Sequence, residues 1–380
     1  MISARQLIVL GAAGVAVIAL GLWVSSRQSG EPALEPATPV FPGLEASLNG
    51  VTEVRLTRAD GTHATLHRDA HDWQVSERGY PADSGRIRKL LLDIAALQIQ
   101  ERKTSDPKSY AQLGVQDPGE KAKAGAGQPA DAAGGTRVDI VEGAHTRTLI
   151  VGKVAGTRSS YVRVGGTAQS LLVSPQFVAD ADPRHWLDSS VLDLPETRVQ
   201  QVAVHPAKGP AYTVTRASAK QTDFTVPDLP KGRELSASGA ADPVASALTA
   251  LSLDDVRKAG AAAPEDRSEF HTFDGLDLQL TGRKEGDKHF IRLQANADKG
   301  KKEAQSEAQS LTARFGGWEL EVPAYKYDTL FRPIDEMLKP LPPPPAKTAK
   351  AHKAAGDALK APSARALPSS PVTGAATPQP

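Results

Sequence analysis

Two stretches of this 380-residue chain open on the same spacing of aliphatic residues. Val51, Val54 and Leu56 begin the first, and Val199, Val202 and Val204 begin the second. Each runs on through short alternating segments around Leu66 or Tyr212. Each then reaches an aromatic strand, Asp72-Trp73-Gln74-Val75 or Asp223-Phe224-Thr225-Val226. Later, Tyr161-Val162-Arg163-Val164 answers Phe290-Ile291-Arg292-Leu293. Apolar residues alternating with charged ones mark half-exposed antiparallel strands. A helix is expected in each stretch. In the first, Asp83 caps it, and Ile87, Leu90, Leu91, Ile94 and Leu97 fall on one face. In the second, Asp242 is the cap, Pro243 takes the first helical position, and Val244, Leu248 and Leu251 face inward. The fold class expected is therefore α+β: tandem duplicated units, each an antiparallel sheet packed by a helix, behind an N-terminal transmembrane helix.

That transmembrane helix is read from Leu7 to Val24, which carries no charged residue. Eighteen helical residues span roughly 27 Å, close to the hydrocarbon thickness of a bilayer. Leu7, Leu10, Val17, Leu20, Trp23 and Val24 are the residues expected to meet lipid, with Trp23 at the interface. The alternative, a cleaved signal peptide, fits less well, because the run exceeds the usual length of such a core and no A-x-A site follows. A short leading segment and a single span put the bulk of the chain outside the cytoplasm. The expected location is a bacterial inner membrane, crossed once, with the rest periplasmic.

Composition shifts divide the remainder. The reading is an anchor over 1–26, a Pro/Ala/Glu spacer over 27–46, a first unit over 47–195, a second over 196–339 and a Pro/Ala/Lys tail over 340–380. The tail sets Lys339, Lys347, Lys350, Lys353, Lys360 and Arg365 against Asp357 and has few large apolar residues. It is expected to be disordered, with weak attraction to anionic wall polymer, lipid or a partner as the sharper option. Two inserts are expected inside the units: low-complexity 119–135, and charged 296–310 as a loop or a short exposed helix. Short turns of helix are expected at Pro175–Ala179, Pro183–Leu187 and Pro323–Met337, the last broken at Pro333.

Charge and residue usage narrow the function. Lys and Arg number 45 against 44 Asp and Glu, so a uniformly basic nucleic-acid binder is not expected. The chain has no cysteine, which removes disulfides, thiolate metal sites and cysteine nucleophiles. His63, His67 and His71 read as strand and turn, where His63 and His67 share a face but lie about 13 Å apart, too far to share one ion. Asp182 before Pro183 reads as a helix cap rather than part of an acid–base cluster with Asp180 and His185. Asp254 and Asp255 are adjacent, so they point to opposite faces of a strand and read as a solvated edge. Gly125 and Gly127 lack a strand-to-helix context, and Gly152-Lys153 lacks the upstream glycine of a phosphate-binding loop and reads as a hairpin turn. Trp73, Trp186 and Trp318 read as core rather than a ligand platform. No catalytic residue, cofactor or metal ligand is assigned.

The N-terminal anchor, the Val-x-x-Val-x-Leu opening, Trp73-x-Val75, and Gly79-Tyr80-Pro81-Ala82-Asp83 resemble a bacterial family known as domain of unknown function 4340. Asp106-Pro107 with Tyr110 and Leu113-Gly114, Val151-Gly152-Lys153, Tyr161-Val162-Arg163 and Trp186-Leu187-Asp188 add to the resemblance. It covers about residues 50–255. The family has no assigned reaction, and its members often resemble products encoded beside ABC-type exporter components, including those linked to gliding motility. The resemblance implies a binding or scaffold role, with the bilayer and envelope transporter proteins as partners and no nucleic acid. The alternative is an envelope hydrolase or small-ligand-binding protein with a pocket between the repeats.

Overall fold

The computed structural model describes residues 38–70, 72–118 and 134–340. The residues expected to form the anchor, most of the spacer, most of the 119–135 insert and the tail beyond Pro340 lie outside them. Among the described residues no helix is long and apolar enough to cross a membrane.

Alternation builds the first sheet. In β2 (Glu53–Thr57) Val54 and Leu56 are buried while Arg55 is exposed, and in β3 (His63–Arg68) Ala64 and Leu66 are buried between exposed histidines. Short β1 (Thr38–Pro39), β4 (Trp73–Val75) and β5 (Tyr80–Pro81) join them. So do β6 (Gln98–Arg102), β7 (Thr136–Glu142), β8 (His145–Ala155), β9 (Ser159–Val164) and β10 (Ser170–Ser174). The ten strands lie in the order β1-β6-β10-β9-β8-β7-β2-β3-β4-β5, every neighbour antiparallel. Preceding β2, a short helix α1 (Leu44–Ser47) buries Leu44. The main helix, α2 (Ser84–Ala95), starts where expected: Asp83 accepts the Gly85 and Arg86 N–H groups, and Ile87, Leu90, Leu91 and Ile94 are buried. Fully burying each such aliphatic side chain contributes about 1.5–3 kcal/mol.

β11 (Ser190–Leu192) then leads into the second sheet. Its strands are β12 (Val199–His205), β13 (Tyr212–Thr215), β15 (Asp255–Lys258), β16 (Asp266–Thr272), β17 (Leu276–Glu285), β18 (Lys288–Ala297) and β19 (Trp318–Glu321). Their order is β13-β12-β16-β17-β18-β19-β15, again antiparallel throughout. The pair β14 (Leu251–Ser252) and β11 forms a separate two-stranded sheet. The protein is thus a sheet-rich α+β protein with antiparallel sheets and few helices. One continuous hydrophobic core runs from Val40 to Leu338 and draws on both large sheets. Between them, Tyr80 meets Trp318 edge to face at 5.2 Å, and Arg314 binds Asp188 at 2.8 Å.

Several local expectations need correction. Only four residues, α4 (Asp242–Ala245), form the helix expected after Asp242. Asp242 does not cap it; its carboxylate accepts the Phe224 N–H at 2.8 Å. Val244, Leu248 and Leu251 are buried as expected, but the chain leaves the helix because Ala250 donates to the Asp193 carboxylate and Thr249 to the Leu194 carbonyl. The helix packed on this sheet is instead α5 (Lys302–Phe315), which starts inside the 296–310 segment expected as a loop or a short exposed helix, runs five residues past it and is packed on one side rather than exposed. Its inner stripe is Ala304, Ala308 and Phe315, with Leu311 against it, and Asn296 and Ala297 belong to β18. Pro175–Ala179 is not helical: Ser160 Oγ accepts the Phe177 N–H and donates to its carbonyl, holding the segment extended. Pro183–Trp186 forms a 3-10 turn; α6 (Ala324–Leu330) follows Pro323, and a further turn follows Pro333. Gly152-Lys153 is no hairpin turn but lies inside β8 at a shift of register against β9.

Candidate functional site

Pleating sends Ile291, Leu320 and Val256 into the core, so Phe290, Arg292, Glu319, Glu321, Asp255 and Arg257 share the opposite face of the second sheet. Glu319 is 1% exposed there. It accepts hydrogen bonds from Arg257 at 2.9 Å, Arg283 at 3.1 Å and Arg292 at 2.7 Å, one arginine from each of three other strands. Burial pushes its carboxyl up, but the bonds from Arg283, Arg292 and Arg257 outweigh that and hold it down to about 2. Arg257 and Arg283 also reach Glu285, and the Arg257 guanidinium lies 3.7 Å from the Phe290 ring centroid. Arg292 donates to the Gly260 carbonyl at 2.6 Å, fixing the short connection from β15 to β16.

Beside this array runs a groove of about 560 Å³. One wall is the turn between β4 and β5, with Glu77 and Arg78; the floor is Asp255, Arg257, Phe290 and Glu321. Arg78 grips Asp255 with two bonds, at 2.6 and 2.9 Å, joining the two sheets. Lys288 binds Glu321 at 2.7 Å, and Lys258 sits 3.3 Å from the Trp318 ring centroid. Burial, and then the nearby Glu321 charge, push the Asp254 carboxyl up. Glu77 Oε2 is buried and has no hydrogen-bond partner among the described residues. Side chains of both signs line this groove, an arrangement complementary to a group that itself carries both signs.

One face of the first sheet is closed by the chain itself. Residues 103–118 cross it as a strap: a 3-10 turn at Pro107–Ser109 capped by Asp106, then α3 (Tyr110–Leu113), ended by Gly114 at φ 71°. Arg163 is buried beneath it and donates to the Val115 carbonyl at 3.0 Å, the Thr167 carbonyl at 3.1 Å and the Asp117 carboxylate. Its guanidinium lies 4.8 Å from the Tyr110 ring centroid. Lys153 donates to the Gln112 carbonyl at 3.1 Å, closing the C-terminal end of α3. Gly152 lets that backbone approach, since a Cβ there would stand 2.4 Å from the Leu113 carbonyl oxygen.

The other sequence candidates fall as follows. Leu7, Leu10, Val17, Leu20, Trp23 and Val24 lie outside the described residues, as do His71, Gly125 and Gly127. His63 and His67 are exposed on β3, 3.8 Å from Glu77 and 3.6 Å from Glu53 respectively. Asp182 caps its turn by accepting the Arg184 N–H at 3.0 Å, and hydrogen bonds from the Arg184 side chain hold its carboxyl down to about 2. Asp180 accepts from Trp186 through its carbonyl and pairs with His185 at 2.5 Å. Trp73, Trp186 and Trp318 are buried in the core. Among the described residues, no three His, Asp or Glu side chains are grouped to hold a metal ion. Asp255 is not a solvated edge but the partner of Arg78. The sequence reading also missed Glu319; its signal was Trp318-Glu-Leu-Glu, charges alternating with large apolar residues next to arginine-bearing strands.

Two antiparallel sheets on a shared core, one crossed by the 103–118 strap and the other flanked by a charged groove, describe a sheet-rich α+β protein. The chain belongs to the family described as domain of unknown function 4340, whose profile matches residues 73–270. No curated protein and no solved structure matches it.

Proposed function

We propose that this is a single-pass, membrane-anchored extracytoplasmic binding or scaffold protein, serving an ABC-type envelope export system at a bacterial inner membrane. The anchor is the apolar run Leu7–Val24, and the bulk of the chain is periplasmic. We further infer that the two sheets are tandem copies of one unit. The succession β6-β10-β9-β8-β7-β2-β3 repeats as β15-β19-β18-β17-β16-β12-β13. Val54 lies between Ile140 and Leu66 as Val202 lies between Phe270 and Val214. Val162 lies between Val151 and Leu171 as Ile291 lies between Gly282 and Leu320.

The observation that carries the binding role is the contrast between the copies. The first lays residues 103–118 across its outer sheet face; the second buries Glu319 under its arginines and the short β15–β16 connection and leaves the charged groove beside them open. A partner segment of mixed charge lying between Lys288, Glu321 and Arg257 is the occupant this favours. The test is photo-crosslinking in cells with intact full-length protein. A crosslinker at Lys288 should capture exporter subunits, whereas one at exposed Lys220, beyond β13 at the opposite sheet edge, should not. Equal capture from both positions, or no envelope protein from Lys288, rejects the reading. A second reading, a small-ligand or hydrolytic pocket between the repeats, draws on one feature, the unpartnered Glu77 oxygen in the groove.

A further inference from the structure

We propose that the outer face of α2 docks on the anionic surface of the bilayer that holds the anchor. This rests on the anchored reading above and adds to it which face of the protein meets lipid. A groove of about 480 Å³ lies along the helix, lined by Leu48, Arg68, Trp73, Arg88, Leu91 and Leu92 among others. Leu92 is 46% exposed, one of few large apolar side chains so placed among the described residues. Arg88 lies one turn before it on the same stripe. The other cations of α2 are committed: Lys89 to Asp93 at 2.7 Å, Arg86 to Asp83 at 3.3 Å and to the His185 carbonyl at 2.7 Å. Arg88 has no side-chain partner among the described residues, and Arg68 donates to the Asn49 carbonyl at 3.0 Å with no acid paired to it. Glu45 is the one acid on the rim.

The chain's path leaves this face within reach of the membrane. The apolar run ends at Val24, and the first described residue is Thr38. The intervening segment can span at most about 45 Å. From Thr38 only a few residues lead to Glu45 and Leu48, which stand on the groove's lip. A leucine flanked by two arginines is the chemistry of an interfacial contact: the side chain enters the headgroup layer while the guanidinium groups meet lipid phosphates. Each basic side chain at an anionic surface multiplies the docked population by roughly fivefold.

Because the chain has no cysteine, Leu92→Cys supplies a single thiol for an environment-sensitive fluorophore. The labelled full-length protein is reconstituted into vesicles of phosphatidylcholine alone or with phosphatidylglycerol, each carrying a headgroup spin label as quencher. Tyr325→Cys, at a site 66% exposed on α6, is the control. In anionic vesicles the label at position 92 should be quenched more strongly than the control. Added salt, phosphatidylcholine alone, or Arg68→Glu with Arg88→Glu should bring it down to the control level. Quenching at 92 no stronger than at 325, or unchanged by the charge reversal, overturns the docking. Flotation separates the two readings. Protein that floats with vesicles but shows no excess quenching overturns only the docking, and protein that does not float overturns the anchor and the docking together.

Discussion

Replacing Glu319 with Gln removes one negative charge from the centre of three arginines. Its side chain is only 2% exposed, so solvent screening is slight. The carboxyl falls from an ordinary 4.5 to about 2 in the folded protein. At 1.36 kcal/mol per unit, that difference is worth about 3 kcal/mol. It agrees with the ~3–5 kcal/mol lost when one member of a buried ion pair is deleted. At roughly 2–4 °C per kcal/mol, Glu319→Gln should melt about 6–12 °C below the natural protein near pH 7. The sign of the pH dependence follows from the depressed carboxyl. Its contribution is complete above the unfolded value near 4.5 and drains away as pH falls towards the folded value near 2. Thermal melts of both proteins, full-length and in detergent, should therefore separate widely at neutral pH and converge in acid. A neutral-pH gap under about 1 kcal/mol, or a gap of constant size down to about pH 2, would falsify the assignment of Glu319 as the charge that holds this face together.

Gly152→Ala places a methyl group against the Leu113 carbonyl, which a backbone atom cannot evade; it should cost about 1–3 kcal/mol, seen as a lower urea midpoint with faster proteolysis in residues 103–118. Unchanged proteolysis would show that the strap does not depend on this approach. Arg78→Ala and Asp255→Ala, singly and together, should reveal a coupling of about 1 kcal/mol in a double-mutant cycle, since the pair is bidentate yet 27% and 14% exposed. Additive losses would mean that the two sheets are joined by packing alone.

How far the sequence could be read depended on whether a segment's structure was decided locally. Asp83 and the apolar spacing after it specify α2 without help from elsewhere, and the structure has that helix to the residue at its start. Asp242-Pro243 carries the same kind of signal, but Phe224 takes the carboxylate and Asp193 takes the Ala250 amide, so tertiary bonds end the helix after one turn. The α5 stripe went unread because alanine supplies most of it, and Ala304 and Ala308 contribute little hydropathy to set against nine polar or charged neighbours. Glu319 shows the other limit. Alternation alone puts it outward on β19, yet its burial comes from Arg257, Arg283 and Arg292 converging through strand register, which no local pattern contains. The strap was legible as a set of motif residues, Tyr110, Gly152, Lys153 and Arg163, but not as one assembly.

The strand order also sets a timetable for synthesis. β2 lies in the middle of its sheet, yet its partner on one side, β7, leaves the ribosome about 80 residues later, a wait of roughly 4–16 s at 5–20 residues per second. Through that interval β2, β3 and β4 form a meander whose inner edge has no neighbour, and the sheet closes only after β10 has emerged to meet β6. In the second sheet the equivalent gap, from His205 to Asp266, is about 60 residues, so the wait is shorter. The nascent chain is therefore most open to wrong pairing early, while the first sheet is half made, and a chaperone that shields extended strands would act there.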